Sequence, residues 1–231
     1  MNQRPRRNRN SFNIREMVAE THLKKEDLIY PLFIVDGSQR KIPIESMPNC
    51  YRWSLDLLIK ELEKCGELGI TNFVLFPVVD NKFKDQKATY SYSSENFYLK
   101  AIEAIKKEFP HFTLMSDVAM DPYSSDGHDG LVINGEINND ESIPILCKMA
   151  LAQANAGIDI IGPSDMMDGR VGAIRDALDK NQFINTNIMS YTAKYASAFY
   201  GPFRDALDSE PKFGDKKTYQ MDPRNKTESL L

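Results

Sequence analysis

From residue 28 onward, continuous apolar runs alternate with stretches whose apolar residues recur every three to four positions. The runs at 28–35, 72–79, 112–120, 158–162 and 187–193 read as strands buried on both faces, as in a parallel sheet covered by helices. Between the first two, Leu55, Leu58, Ile59, Leu62 and Cys65 mark one helix face, with Ser54 placed to cap it and Gly66 and Gly69 at its end. Tyr98, Ala101, Ile102, Ile105 and Phe109 mark a second face, which Pro110 stops. Further helices are predicted at about 140–156 and 170–179, and Asn134-Gly135 predicts a small β-ribbon within 130–137. Strands begin roughly every 30 to 45 residues, a βα unit repeated five times.

Two α/β architectures fit this pattern, an open doubly wound sheet and a (β/α)8 barrel. The first βα turn has no glycine-rich phosphate fingerprint, which weighs against the nucleotide-binding sheet. In a barrel, reactive groups collect at the C-terminal ends of strands. Asp117, Ser164 with Asp165, and Lys194 stand at or just past three consecutive strand ends. Taken by its local sequence alone, Lys194 has two readings. It is either a surface lysine whose stem packs on aromatic neighbours, or a desolvated amine able to attack a carbonyl as a Schiff-base nucleophile. The convergence of the other strand ends on it favours the nucleophile.

Composition narrows the class. The chain has 231 residues, 42% of them apolar, enough for a substantial core. A net charge of −4 argues against a nucleic-acid partner, and no apolar run approaches a membrane span. Cys50, Cys65 and Cys147 are scattered and form no CxxC pair, which reads as reduced thiols and a cytoplasmic location. Residues 1–24 differ from the rest: Arg4, Arg6, Arg7 and Arg9 cluster in a polar stretch, followed by a short helix near 14–18. This segment is expected to be an arm that packs on a neighbouring subunit, with residues 25–231 forming the barrel domain.

Four segments, 117–130 (DVAMDPYSSDGHDG), 162–170 (GPSDMMDGR), 191–204 (YTAKYASAFYGPFR) and 214–221 (GDKKTYQM), resemble the porphobilinogen synthase (δ-aminolevulinic acid dehydratase) family. The likeness runs from the Arg-rich arm to the last residues. It implies a TIM barrel, usually an octamer. It also implies condensation of two 5-aminolevulinate molecules to porphobilinogen in tetrapyrrole (heme) biosynthesis, through two lysine Schiff bases. By position Lys194 resembles the first of these lysines. Arg204 and Lys216 match positions that bind the substrate carboxylate, although the family commonly has arginine at the second, and lysine loses the bidentate geometry. Asp117 and Ser164 match positions that hold the substrate amino group; a strand-end hydrogen bonder and a helix cap are their plainer readings.

The resemblance also bears on metals. Ala119, Asp121 and Asp129 stand where the zinc-dependent branch has three cysteines, so the pattern argues against zinc and for the magnesium-responsive, aspartate-bearing branch. The two carboxylates could hold Mg²⁺ or nothing, and the allosteric Mg²⁺ site of the family is not expected within this chain. His128 either assists proton transfer or braces its loop. Only five strands are counted where a closed barrel needs eight, and no Met-Val-Lys-Pro-like segment supplies the second lysine. The expected architecture is therefore the first five βα units of the barrel behind the arm. The resemblance implies a porphobilinogen synthase that is active only with the C-terminal part of the barrel, so the 231 residues alone are expected to form no porphobilinogen; the alternative is a catalytically inactive truncated fragment able only to bind substrate or associate with other subunits.

Overall fold

A computed structural model describes residues 3–230. Its sheet is built from β1 (Tyr30–Val35), β2 (Lys41–Pro43), β3 (Tyr51–Trp53), β4 (Asn72–Val78), β5 (Thr113–Val118), β8 (Ile160–Pro163) and β9 (Asn187–Ile188). Their spatial order is β2-β3-β1-β4-β5-β8-β9, and every adjacent pair is parallel except β2 with β3. The five strands expected from the apolar runs are therefore present and adjacent in chain order. Strands β2 and β3 are additions; they are short, polar on one side, and carry no long apolar run that would have announced them.

The fifth strand is shorter than the apolar run at 187–193 predicts. Met189 N–H and Tyr191 N–H still donate to Ile161 and Pro163 carbonyls at 2.9 and 3.0 Å. However, Pro163 has no N–H to return and β8 ends there, so the ladder stops. Arg170 takes over the freed backbone, donating to the Tyr191 carbonyl at 2.7 Å.

Helices α2 (Leu55–Glu67), α3 (Phe97–Glu108), α4 (Asn139–Asn155) and α5 (Arg170–Lys180) follow the predicted periodicity. Ser54 occupies the N-cap of α2, but its hydroxyl makes no capping bond; it donates to Asp56 at 2.6 Å and accepts from Arg40 N–H at 2.9 Å, tying the helix start to β2. The Asn134-Gly135 turn forms as expected, both residues at positive φ, between β6 (Leu131–Ile133) and β7 (Glu136–Asn138).

Side chains alternate across the sheet, so two apolar layers form. Leu32, Ile34, Phe73, Leu75, Leu114 and Ile161 pack under α2–α5. Phe33, Val74, Phe76 and Met115 face the other way and are covered by α6 (Gly201–Leu207). Near the N-terminus, α1 (Phe12–Met17) begins two residues earlier than expected, with Phe12, Met17, Val18 and Leu23 exposed. No helix among the described residues is long and apolar enough to cross a membrane.

Candidate active site

The strand ends of the parallel sheet deliver Asp117 from β5, Ser164 from just past β8 and Lys194 from beyond β9. The loop after β5 adds Asp121, His128 and Asp129, and the segment 208–221 returns over them with Lys216 and Tyr219. A two-residue ladder fixes that return: Met221 N–H donates to the Lys194 carbonyl and Ala196 N–H to the Met221 carbonyl, both at 2.9 Å.

Lys194 and Lys216 share one carboxylate. Lys194 Nζ lies 2.9 Å from Asp129 Oδ2 and 2.6 Å from the Ser164 carbonyl. Lys216 Nζ lies 2.5 Å from Asp129 Oδ1 and 3.2 Å from Asp121 Oδ2. All four side chains are buried or nearly so; even Lys194, the most accessible, keeps only 11% of its side-chain surface. Such an arrangement persists in a low dielectric only because each charge faces its opposite.

This corrects the expectation that desolvation leaves Lys194 as a free amine. Burial does pull its pKa down, but Asp129, Asp121 and Asp117 together outweigh it and hold the ammonium above its ordinary range. Lys216 is raised in the same way: burial is opposed and exceeded by Asp121 and Asp129. For Asp129, burial pushes up, yet the two ammonium groups bring it below the ordinary carboxylate value. Asp121 goes the other way, because its burial outweighs Lys216. Asp117 is pushed up to about 7 by burial, which the nearby Ser164 hydroxyl opposes and repulsion from Asp121 reinforces. Its Oδ1 is fully buried and has no hydrogen-bond partner among the described residues, which leaves an acceptor unused.

His128 has both ring nitrogens occupied. Nε2 lies 3.0 Å from the Phe213 carbonyl, which can only accept, so Nε2 carries the proton. Nδ1 then accepts from the Tyr219 hydroxyl at 3.1 Å, and that hydroxyl accepts from Asp129 N–H at 3.3 Å. Of the two readings left open by the sequence, the geometry supports the brace. Gly127 sits in the same contact at φ +70°, where an added Cβ would lie 2.3 Å from the Glu210 carbonyl, and Lys212 N–H donates to the Asp126 carbonyl at 3.0 Å. Gly127→Ala is accordingly expected to lever the 208–221 segment away at a cost of about 1–3 kcal/mol. Faster hydrogen exchange at the Lys212 amide, with a lowered urea midpoint, would show it; unchanged exchange would contradict it.

The donor set does not fit zinc. Ala119 offers nothing, the three thiols lie elsewhere as free cysteines, and Asp121 and Asp129 are already neutralised by lysines. Mg²⁺ at these carboxylates would have to displace two ammonium groups, so it does not fit this arrangement either. Lys216, expected at a substrate carboxylate, is here committed to Asp121 and Asp129. Arg204, on α6, is half-buried, makes no side-chain hydrogen bond among the described residues, and its charge is felt at Tyr219.

Several supporting residues had no distinct sequence signal. Gln153 on α4 accepts from Ser116 at 2.7 Å and donates to the Asp117 carbonyl at 2.9 Å, holding the end of β5. Arg170 binds the carbonyls of Met167 and Tyr191 and faces the buried Asp165 at 3.5 Å, linking the segment after Ser164 to the one that leads to Lys194. Burial, against the charge of Arg170, pushes Asp165 up to about 7. Gln220 is buried, and its side-chain oxygen has no partner among the described residues. For Asp165, Arg170 and Gln220 the clue available in the sequence was placement within the four ordered motifs, which marks a neighbourhood but not a contact; Gln153 lies outside all four.

The family profile described as Delta-aminolevulinic acid dehydratase matches residues 2–231. A protein of that name from Chlamydia pneumoniae is 49% identical over 231 residues, covering 100% of this chain and 70% of the relative. A chloroplastic relative from Oryza sativa subsp. japonica is 52% identical over 234 residues, covering 100% of this chain and 54% of the relative. The crystal structure of the Toxoplasma gondii ME49 enzyme (porphobilinogen synthase), in complex with its reaction product porphobilinogen, superposes with a TM-score of 0.93 at 49% identity. It is covered over 66% of its chain, and this chain over 100%. The chain thus spans about half to two thirds of the length of most of these relatives, and it belongs to the delta-aminolevulinic acid dehydratase family.

Proposed function

We propose that the protein acts in the condensation of two 5-aminolevulinate molecules to porphobilinogen, and that Lys194 is the residue that forms an iminium with one of them. The observation that carries this reading is a buried lysine at parallel strand ends, 2.9 Å from Asp129 and within the electrostatic reach of Asp117, whose buried Oδ1 has no hydrogen-bond partner among the described residues. The Toxoplasma relative's complex with porphobilinogen supports the choice of substrate.

The chemistry balances without an added reagent. Lysine ammonium plus the ketone of 5-aminolevulinate gives iminium plus one water, with no net gain or loss of protons. Lys194 must shed a proton before attack; Asp129 is the carboxylate at hand to take it, a transfer made uphill by Lys216, which holds that carboxylate low. The proton then leaves with the hydroxyl of the carbinolamine. Asp117 and Ser164 receive the substrate's ammonium group, the former through its unpartnered oxygen. Arg204, which makes no side-chain hydrogen bond among the described residues, receives the carboxylate. The exposed apolar residues of the arm, Phe12 and Met17 among them, are read as seated on a second subunit in a homo-oligomer.

Asp117 makes the reading testable by pH. A carboxyl with a pKa of about 7 is largely neutral below that value and a charged acceptor above it. The affinity for the substrate's ammonium group is expected to rise as pH increases through about 7, read as the concentration of 5-aminolevulinate that half-saturates borohydride fixation. In Asp117→Asn this step should disappear. Linkage has the opposite sign for stability: the folded state retains a proton that the unfolded chain releases near 3.8, so Asp117 costs stability as pH rises from there through 7. No fixation at any pH would sink the proposal.

A further inference from the structure

Arg204 is carried by a helix too short to hold itself. With seven residues, α6 depends on external contacts. One side of it is fastened by packing: the Phe203 ring stands 5.0 Å from Phe76 and 6.0 Å from Phe33, and Ala206 and Leu207 are buried. Its C-terminal carbonyls are fastened by the unexpected β2–β3 ribbon. Arg52 of β3 donates through Nε to the Ala206 carbonyl at 2.9 Å and through Nη2 to the Asp205 carbonyl. Ser46, in the turn before β3, donates to the Asp205 carboxylate and, at 3.4 Å, to the Pro202 carbonyl. A guanidinium fork on the negative end of a helix combines charge-assisted hydrogen bonds with dipole attraction. Neither Arg52 nor Ser46 bonds to Lys194, Lys216, Asp117 or Asp129.

We propose that Arg52, seconded by Ser46, is a positioning residue that fixes α6 and thereby aims Arg204 at the carboxylate of the substrate. The β2–β3 ribbon is then a specificity element for a carboxylated amino ketone, as opposed to any amino ketone able to react with Lys194. This rests on the reading above that Arg204 receives the carboxylate.

The test compares two ligands, 5-aminolevulinate and aminoacetone, which share the amino ketone head and differ in the carboxylate. Each is titrated for half-saturation of borohydride fixation in the wild type, Arg52→Met, Arg52→Lys, Ser46→Ala and Arg204→Gln. Arg52→Met should raise the half-saturating 5-aminolevulinate concentration by about 10- to 100-fold, the scale of a misplaced binding group, with the same final extent of labelling. Aminoacetone should be unaffected. Arg52→Lys should fall between, because a lysine offers a point donor where the guanidinium spans two carbonyls, and Ser46→Ala should shift in the same direction by less. Equal weakening of both ligands in Arg52→Met and Ser46→Ala would mean a general loss of structure and would overturn the proposal, as would no change in either. If Arg204→Gln itself leaves the preference for 5-aminolevulinate intact, the reading of Arg204 fails first, a result separable from failure at Arg52.

Discussion

Lys194→Ala is expected to reduce borohydride fixation of 5-aminolevulinate to background. In the native protein the adduct should map to the peptide that carries Lys194. The argument is geometric: Lys194 has its amine at the strand ends, with Asp129 at 2.9 Å to take its proton. Lys216, the other buried lysine of the cluster, is clasped by Asp121 and Asp129 on its far side. Lys194→Arg separates charge from chemistry, since arginine keeps a cation against Asp129 but cannot form the iminium. It should retain near-native stability and lose the label. Labelling of Lys194→Ala at the wild-type rate would move the nucleophile to Lys216 or elsewhere.

Asp129→Asn is expected to be the most destabilising single change in the site. It leaves two buried ammonium groups facing a neutral amide: Lys216 keeps its ion pair with Asp121, while Lys194 loses the carboxylate it touches. Breaking a buried ion pair from one side costs about 3–5 kcal/mol. For a chain of this size that corresponds to a fall in Tm of roughly 10 °C. The pH dependence should change as well. Asp129 lies below its ordinary 3.8, so its contribution is present above that value and is lost as pH falls through the lowered pKa. Lys194 lies above its ordinary 10.5, so its contribution is complete below that value and is lost as pH rises through the raised pKa. Asp129→Asn should flatten both limbs and bring Lys194 back toward neutrality, which a higher rate of reaction with a small amine-directed acylating reagent near pH 8 would reveal. A thermal curve matching the wild type would contradict the pairing.

Much of the scaffold was legible because its cause is local. A strand covered on both faces must be apolar throughout, as 72–79 is, and a helix against a sheet must repeat every three to four residues, as Leu55, Leu58 and Leu62 do. Asn134-Gly135 announces its own turn by the positive φ both residues tolerate. Strands β2 and β3 were invisible because three residues hold too little pattern, and they form only against a completed β1. The early end of β9 likewise depends on a partner, since it is Pro163 on the neighbouring strand that cannot return a hydrogen bond.

The site divides along the same line. The sequence places Asp117, Ser164 and Lys194 at consecutive strand ends, because parallel βα repetition sends every such end to one side of the sheet. It also placed the chain's motifs in register with one family. It could not assign the charge on Lys194. Desolvation alone argued for a free amine, and the opposite outcome follows from Asp121 and Asp129, more than sixty residues earlier in the chain, being folded against it. Nor could it show that His128 is spent on Phe213 and Tyr219, or that Arg52 ends on the carbonyls of α6. Those are pairings between distant segments, and Coulombic and hydrogen-bond energies depend on separations of a few ångströms that only the tertiary structure sets.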